Sequence, residues 1–165
     1  MSSFVYLDTE TTGISASSNT IVEIAIVDDE GAVLLNSLIN PLRPIPRDAT
    51  KIHGITDSMV VEAPTLKDLW PEIKDIVSGT HTVIYNADFD TKFFPQNLNC
   101  AGKISCAMLK FAKVYGEKDP YGRGFKWQKL DLAARHVKYR WEGNAHRALS
   151  DTLACRAVWK WMLKH

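Results

Sequence analysis

The order in which the hydrophobic period changes along the chain most restricts what it can fold into. Residues 3–8, 20–28 and 32–40 are rich in Val, Ile and Leu and read as three consecutive strands. Asp28-Asp29-Glu30-Gly31 joins the second to the third as a hairpin-type turn. Pro41, Pro44 and Pro46 then break the chain into a loop, and the period changes. Thr65 is placed to N-cap a helix through Leu69, Ile73 and Val77 that Gly79 ends. Residues 81–86 read as a fourth strand, followed by a short helix that Pro95 curtails. A brief strand near 103–106 leads into a helix to about Tyr115. Gly116, Pro120, Gly122 and Gly124 make the stretch from Glu117 to Phe125 a loop, and helices near 127–138 and 146–163 close the chain. Three strands in succession, then alternating helix and strand, predict an α/β fold: one mixed sheet with helices on both sides.

The 165 residues suffice for one domain, 1–165, and are too few for two ordinary ones. With 45% apolar and 24% charged residues the composition is that of a soluble globular protein. No apolar run approaches the ~20 residues that span a bilayer, which predicts no membrane association. Met1 leads straight into Phe4-Val5-Tyr6-Leu7, without the basic region and cleavage pattern of a secretory signal. Cys100, Cys106 and Cys155 match neither a disulfide framework nor a zinc knuckle, so a reducing, cytoplasmic setting is expected. The net charge of +1 hides a division. Residues 1–102 hold 6 Lys/Arg against 14 Asp/Glu, whereas residues 103–165 hold 14 against 5. Such a chain suits an enzyme that holds cations with one part and polyanions with the other; solvated surface charge would give the same division.

Four acidic residues and one histidine are hard to explain as structure alone. Asp8 and Glu10 come at the C-terminal end of the first strand, and two residues apart in extended chain they project to one side. Ligands bind at that strand end in open α/β sheets. Like charges on one face repel unless a cation lies between them; a pair at a loop edge facing water is the plainer alternative. In the last helix, Ala154, Cys155, Val158 and Met162 fall within about 60° of Asp151, with Arg156, Lys160 and Lys164 opposite. Asp151 therefore points at the core, where an ionised carboxylate needs a partner, either a metal ion or a buried Arg. His146, five residues earlier, converges with Asp151 only from a loop ahead of the helix, which Gly143-Asn144 favours. Asp88 and Asp90 bracket Phe89 after the fourth strand. Asp88 has a ready explanation as an N-cap, whereas Asp90 shares a face with Phe93 and Phe94 and should point inward.

These residues resemble the DEDDh 3′–5′ exonucleases of the ribonuclease H-like fold. Asp8-Thr9-Glu10-Thr11-Thr12-Gly13 is similar to that family's first motif, Asn86-Ala87-Asp88-Phe89-Asp90 to its second, and His146-Arg147-Ala148-Leu149-Ser150-Asp151 to its third. Ile52-His53-Gly54-Ile55-Thr56 resembles a segment common among the polymerase III proofreading subunits. That segment, Asp90 to Pro95, and Cys106 entering a helix with Met108, Leu109 and Ala112 are similar to the exonuclease X branch. Three motifs in order cover nearly the whole chain. Tyr85 departs from the pattern, standing where the family often has His before the Asn, and the chain stops soon after the third motif, which would leave no C-terminal extension for a partner.

The resemblance implies a ribonuclease H-like sheet of five strands flanked by helices. It implies two Mg2+ or Mn2+ ions per active site, held by the hard oxygens of Asp8, Glu10, Asp90 and Asp151. Asp8, Glu10 and Asp151 would hold the ion that orients the attacking water, Asp8 would bridge to the second, and His146 would be the general base. Thr9, Thr11, Thr12, Ile14 and His53 are the expected contacts to the terminal nucleotide, and products should be nucleoside 5′-monophosphates. The basic half, with Lys110, Lys113, Arg123, Lys126 and Lys129, is the expected phosphate track. The implied partner is nucleic acid, a DNA 3′ end, with an exoribonuclease, a silent binding module and a proofreading or repair subunit of a polymerase complex as alternatives; oligomeric state is not implied.

Overall fold

The computed structural model describes residues 3–165, which form a five-stranded sheet of order β3-β2-β1-β4-β5. The strands are β1 (Phe4–Thr11), β2 (Ile21–Asp28), β3 (Val33–Leu38), β4 (His81–Ile84) and β5 (Lys103–Cys106). β1, β2 and β3 pair antiparallel as a meander, and β4 and β5 join the other edge of β1 in parallel. Seven helices accompany them: α1 (Arg47–His53), α2 (Asp57–Val60), α3 (Leu66–Val77), α4 (Ala87–Asp90), α5 (Ala107–Tyr115), α6 (Leu130–His136) and α7 (Ala148–Lys164).

The alternation of β1 sets the layers. Val5 and Leu7 pack with Ile73 and Val77 of α3 on one face, while Tyr6 packs with Phe111 of α5 and Cys155, Val158 and Trp159 of α7 on the other. β2, next to β1, is buried from Ile21 to Val27, as expected of a run that is apolar at every position but Glu23. The expected mixed sheet with helices on both faces is present. At the β2–β3 turn Asp28 Oδ1 accepts the Glu30 and Ala32 N–H groups, and Gly31 takes the left-handed φ of 89° that the turn needs. Thr65 caps α3 as expected: its hydroxyl accepts the Asp68 N–H while Asp68 accepts the Thr65 N–H, a capping box.

Several boundaries differ from the sequence reading, and two helices were not expected. β1 runs on to Thr11 rather than ending at residue 8, because Thr9 and Glu10 pair with Ile24 and Glu23; Glu10 is thus inside the strand together with Asp8. The Pro-rich stretch is followed by the unexpected helices α1 and α2, which with the link between them lay Ala49, Ile55 and Val60 over Val22. Such short helices form only through tertiary packing, so they carry little periodic signal. α6 starts at Leu130, not 127: Lys129 ahead of it is extended, and Tyr85 Oη donates to the Gln128 carbonyl (2.6 Å), which ties that segment to the core. α7 starts at Ala148, which leaves His146 on the preceding loop.

Candidate active site

Asp8 and Glu10 lie on the face of β1 that Tyr6 also occupies, and α7 crosses that face. Asp151, in the first turn of α7, is thereby brought to them: one ligand oxygen from each of Asp8, Glu10 and Asp151 lies within 4.8 Å of the others. Asp8 is half-buried, yet its Oδ2 is shut off from solvent and has no hydrogen-bond partner. Among the described residues none of these three carboxylates, nor Asp90, has an ion-pair partner; the buried Asp–Arg alternative for Asp151 is not what the fold builds.

Asp90 is buried at the end of α4, where Phe94 also turns inward, and its Oδ1 accepts the Thr9 hydroxyl at 2.7 Å. Thr9 thus anchors Asp90, which lies outside the three-carboxylate group but close enough for its charge to act on Asp8. Asp88 corrects the expectation of an N-cap: Asn86 occupies that position, and Asp88 is an exposed residue paired with Lys92 at 3.3 Å.

Crowded carboxylates away from water resist ionisation. Burial, then the charges of Asp90, Glu10 and Asp151, pushes Asp8 well above the carboxylate range. Burial and the Asp151 and Glu23 charges push Glu10 up to about 9. Burial raises Asp90 to about 7 against the hydrogen bonds from Thr9. Asp151 rises to about 6 through burial, offset by the His146 N–H. A divalent cation would reverse every one of these shifts, and the oxygen-only donor set with an orphaned Asp8 Oδ2 fits such an ion.

His146 sits on the loop, exposed, in the left-handed region with φ 62°, a conformation His tolerates better than most residues. This turn aims its N–H at Asp151 Oδ1, 3.0 Å away. His53, at the end of α1, is buried. Its Nδ1 accepts the Ile55 N–H (3.0 Å), so the ring proton lies on Nε2, which donates to the Thr11 carbonyl (3.2 Å). Burial lowers its pKa and keeps it neutral.

Thr9, Thr11, Thr12, Ile14 and His53 all line one hollow of about 370 Å³ whose wall includes Glu10. The three threonine hydroxyls are engaged inside the protein, by Asp90, by the Gly13 carbonyl and by Asn19. Ile14, by contrast, is 88% exposed. Of the expected phosphate track, Arg123 and Lys126 are paired with Asp119 and Glu117, and Lys110 lies over the Trp159 ring.

Sequence reasoning missed Glu23 and Arg147. Glu23 faces Glu10 across the β1–β2 ladder and is buried. Arg147 donates to it from Nε (3.1 Å to each oxygen) and Nη2 (2.6 Å), and Ala148 N–H adds a bond of 2.8 Å. The pair clamps the start of α7, between His146 and Asp151, to the sheet. An acid inside an otherwise apolar strand was the available signal.

The arrangement is that of a ribonuclease H-like exonuclease of the DEDDh type. A family model for the RNase_T exonucleases matches residues 5–158, and the chain belongs to that family. The uncharacterized exonuclease CP81 of Escherichia phage 186 is 42% identical over 159 residues, covering 89% of this chain and 81% of its own length. The DNA polymerase III subunit epsilon of Treponema pallidum is 31% identical over 166 residues, covering 98% of this chain and 77% of the subunit. Exonuclease X in complex with 5′-overhanging duplex DNA superposes with a TM-score of 0.77 at 26% identity, over 98% of this chain and 91% of that one.

Proposed function

We propose that this exonuclease hydrolyses DNA from its 3′ end, one nucleotide at a time, with two divalent ions, Mg2+ or Mn2+, and with His146 as general base. The observation that carries the reading is the convergence of Asp8, Glu10 and Asp151 with no ion-pair partner among the described residues, beside a hollow that Glu10 helps to line. Asp8, Glu10, Asp90 and Asp151 would hold the ions, which supply charge neutralisation at the phosphate and a more acidic water. The hollow lined by Thr9, Thr11, Thr12, Ile14 and His53 receives the terminal nucleotide. Backbone amides and apolar surface make that contact, since the threonine hydroxyls are engaged elsewhere.

His146, on its exposed loop, takes the proton of the attacking water. The water oxygen bonds to phosphorus, the bond to the 3′ oxygen of the preceding nucleotide breaks, and that oxygen is protonated. The product is a nucleoside 5′-monophosphate. The likeness to exonuclease X with DNA and to a polymerase III subunit supports DNA over RNA. The identity with the epsilon subunit also favours a second reading, a proofreading subunit of a polymerase complex. Three free cysteines accord with a cytoplasmic setting.

The test uses 5′-labelled single-stranded DNA, RNA and duplex with Mg2+, Mn2+ or EDTA. DNA should shorten stepwise from its 3′ end only with metal, and circular DNA should survive. Cleavage in excess chelator would remove the metal assignment; cutting of the circle would make this an endonuclease. Preferential trimming of RNA would move the substrate to the exoribonuclease alternative.

A further inference from the structure

Residues 117–129 leave the core between α5 and α6 as a loop that the proposed chemistry does not use. Its stem is closed by the Asp119 N–H to Gly124 carbonyl and Lys126 N–H to Glu117 carbonyl bonds, each 2.8 Å. Three aromatic residues stand out from it: Tyr121 is 80% exposed, Trp127 63% and Phe125 40%. Large apolar side chains gathered on a surface mark a contact site far more often than they mark packing.

Trp127 is exposed but its backbone is not free to move. Its neighbour Gln128 is buried, donates to Glu117 Oε2 (2.8 Å), and through its carbonyl accepts the Tyr85 hydroxyl. Tyr85 directly follows β4 and precedes the Asn86–Asp90 segment of the site. The residue that departs from the family pattern is therefore the one that pins this loop.

Neighbouring hollows share walls. Ile14 and Phe89 form a wall of the 370 Å³ terminal-nucleotide hollow and also of a second one, of about 420 Å³, whose far wall is Trp127. Trp127 in turn borders a third, of about 350 Å³, with Phe125, Arg123 and Lys126. Adjoining hollows thus line up from Glu10 past Ile14 to Trp127. Residues 117–129 carry four Lys/Arg against two Asp/Glu, and Lys118 and Lys129 have no ion-pair partner among the described residues. Flat aromatic faces interleaved with cations are the chemistry that holds unpaired bases and their phosphates.

We propose, resting on the exonuclease reading above, that Trp127 and its loop form a stacking platform for single-stranded DNA just upstream of the 3′-terminal nucleotide. Trp127 stacks on a base, with Phe125 continuing the surface, and Lys118 and Lys129 flank the backbone. The test measures fluorescence anisotropy of a 5′-labelled 10-mer in EDTA, so that no cleavage is needed. An abasic residue is placed in turn at each of the five positions preceding the 3′-terminal one; it removes a base and keeps every phosphate.

For the wild type, at least one abasic position should weaken binding roughly 5- to 150-fold, the range for loss of one base–aromatic stack. Trp127→Ala should weaken the intact 10-mer by a similar factor and become indifferent to that abasic position, while Trp127→Phe, which keeps a ring, should recover most of the affinity. Abasic positions without effect on the wild type, or an effect that Trp127→Ala leaves intact, would overturn the platform. So would tighter binding of a blunt duplex than of the single strand. Trimming of the same 10-mer with Mn2+, followed alongside, separates the two claims: trimming without base-dependent affinity sinks the platform alone, and no trimming sinks both.

Discussion

Replacing Arg147 by Met should damage both the stability and the chemistry of this enzyme, and the two losses can be told apart. The Glu23 side chain is 5% exposed and receives two nitrogens of Arg147 and the Ala148 N–H. Met keeps the aliphatic stem and deletes the guanidinium, leaving a buried carboxylate with one backbone donor opposite Glu10. Stranding a buried charge costs ~3–5 kcal/mol. Arg147 is itself 39% exposed, so water screens part of the pair and about 2–3 kcal/mol is the better expectation. In a chain this long each kcal/mol moves the melting temperature by about 2–4 °C, so calorimetry should show a drop of roughly 4–12 °C. Release of the α7 start also displaces His146 and Asp151, and a misplacement of ~1 Å in an active site costs on the order of 100-fold in rate. Single-turnover cleavage should fall accordingly. Adding Glu23→Gln to Arg147→Met removes the stranded charge and should restore at least half of the lost stability while leaving cleavage slow, because the clamp is still absent. A single variant that melts within a degree or two of the wild type and cleaves normally would refute the clamp. A double variant less stable than Arg147→Met would show that the stranded charge is not the cause.

Three further outcomes follow from the site. Asp90→Asn should lower cleavage by roughly 10- to 100-fold or more, whereas Asp88→Asn, which loses only an exposed pair with Lys92, should cost less than about fivefold; the reverse order would mean the wrong carboxylate was chosen. His146→Ala should slow turnover ~100- to 10,000-fold with metal affinity retained, while Asp151→Asn should weaken Mn2+ binding and be partly rescued by more of it; equal losses of affinity in a Mn2+ titration would make His146 a ligand. The raised pKa values, Glu10 to about 9 and Asp90 to about 7, mean that the metal-free native state holds protons that the unfolded chain has lost. Its stability should therefore fall as pH rises from about 7 to 9, and the gain in melting temperature on adding Mg2+ should grow over the same window. A metal-free protein that becomes more stable across that window contradicts the assigned shifts.

Much of this was legible in the chain itself, because local rules decide it. Alternation in Phe4–Leu7, the run of 21–27 that is apolar but for Glu23, the turn at Asp28–Gly31 and the Thr65 cap are set by residues adjacent in sequence. So is the inward direction of Asp151, which follows from helical period alone. The motifs named the family, and the family match over residues 5–158 bears that out. What the sequence could not show depends on which strand lies beside which, and in what register. Glu10 and Glu23 are thirteen residues apart in sequence but directly opposite in the β1–β2 ladder, and Arg147 reaches Glu23 across 124 positions. The raised pKa values likewise arise only when three elements bring carboxylates together out of water. Helices α1 and α2 exist because Val22 offers them a surface, and α6 starts late because Tyr85 holds Gln128. Local propensity is written in neighbours; the site is written in pairings between distant segments, and only the folded chain makes those.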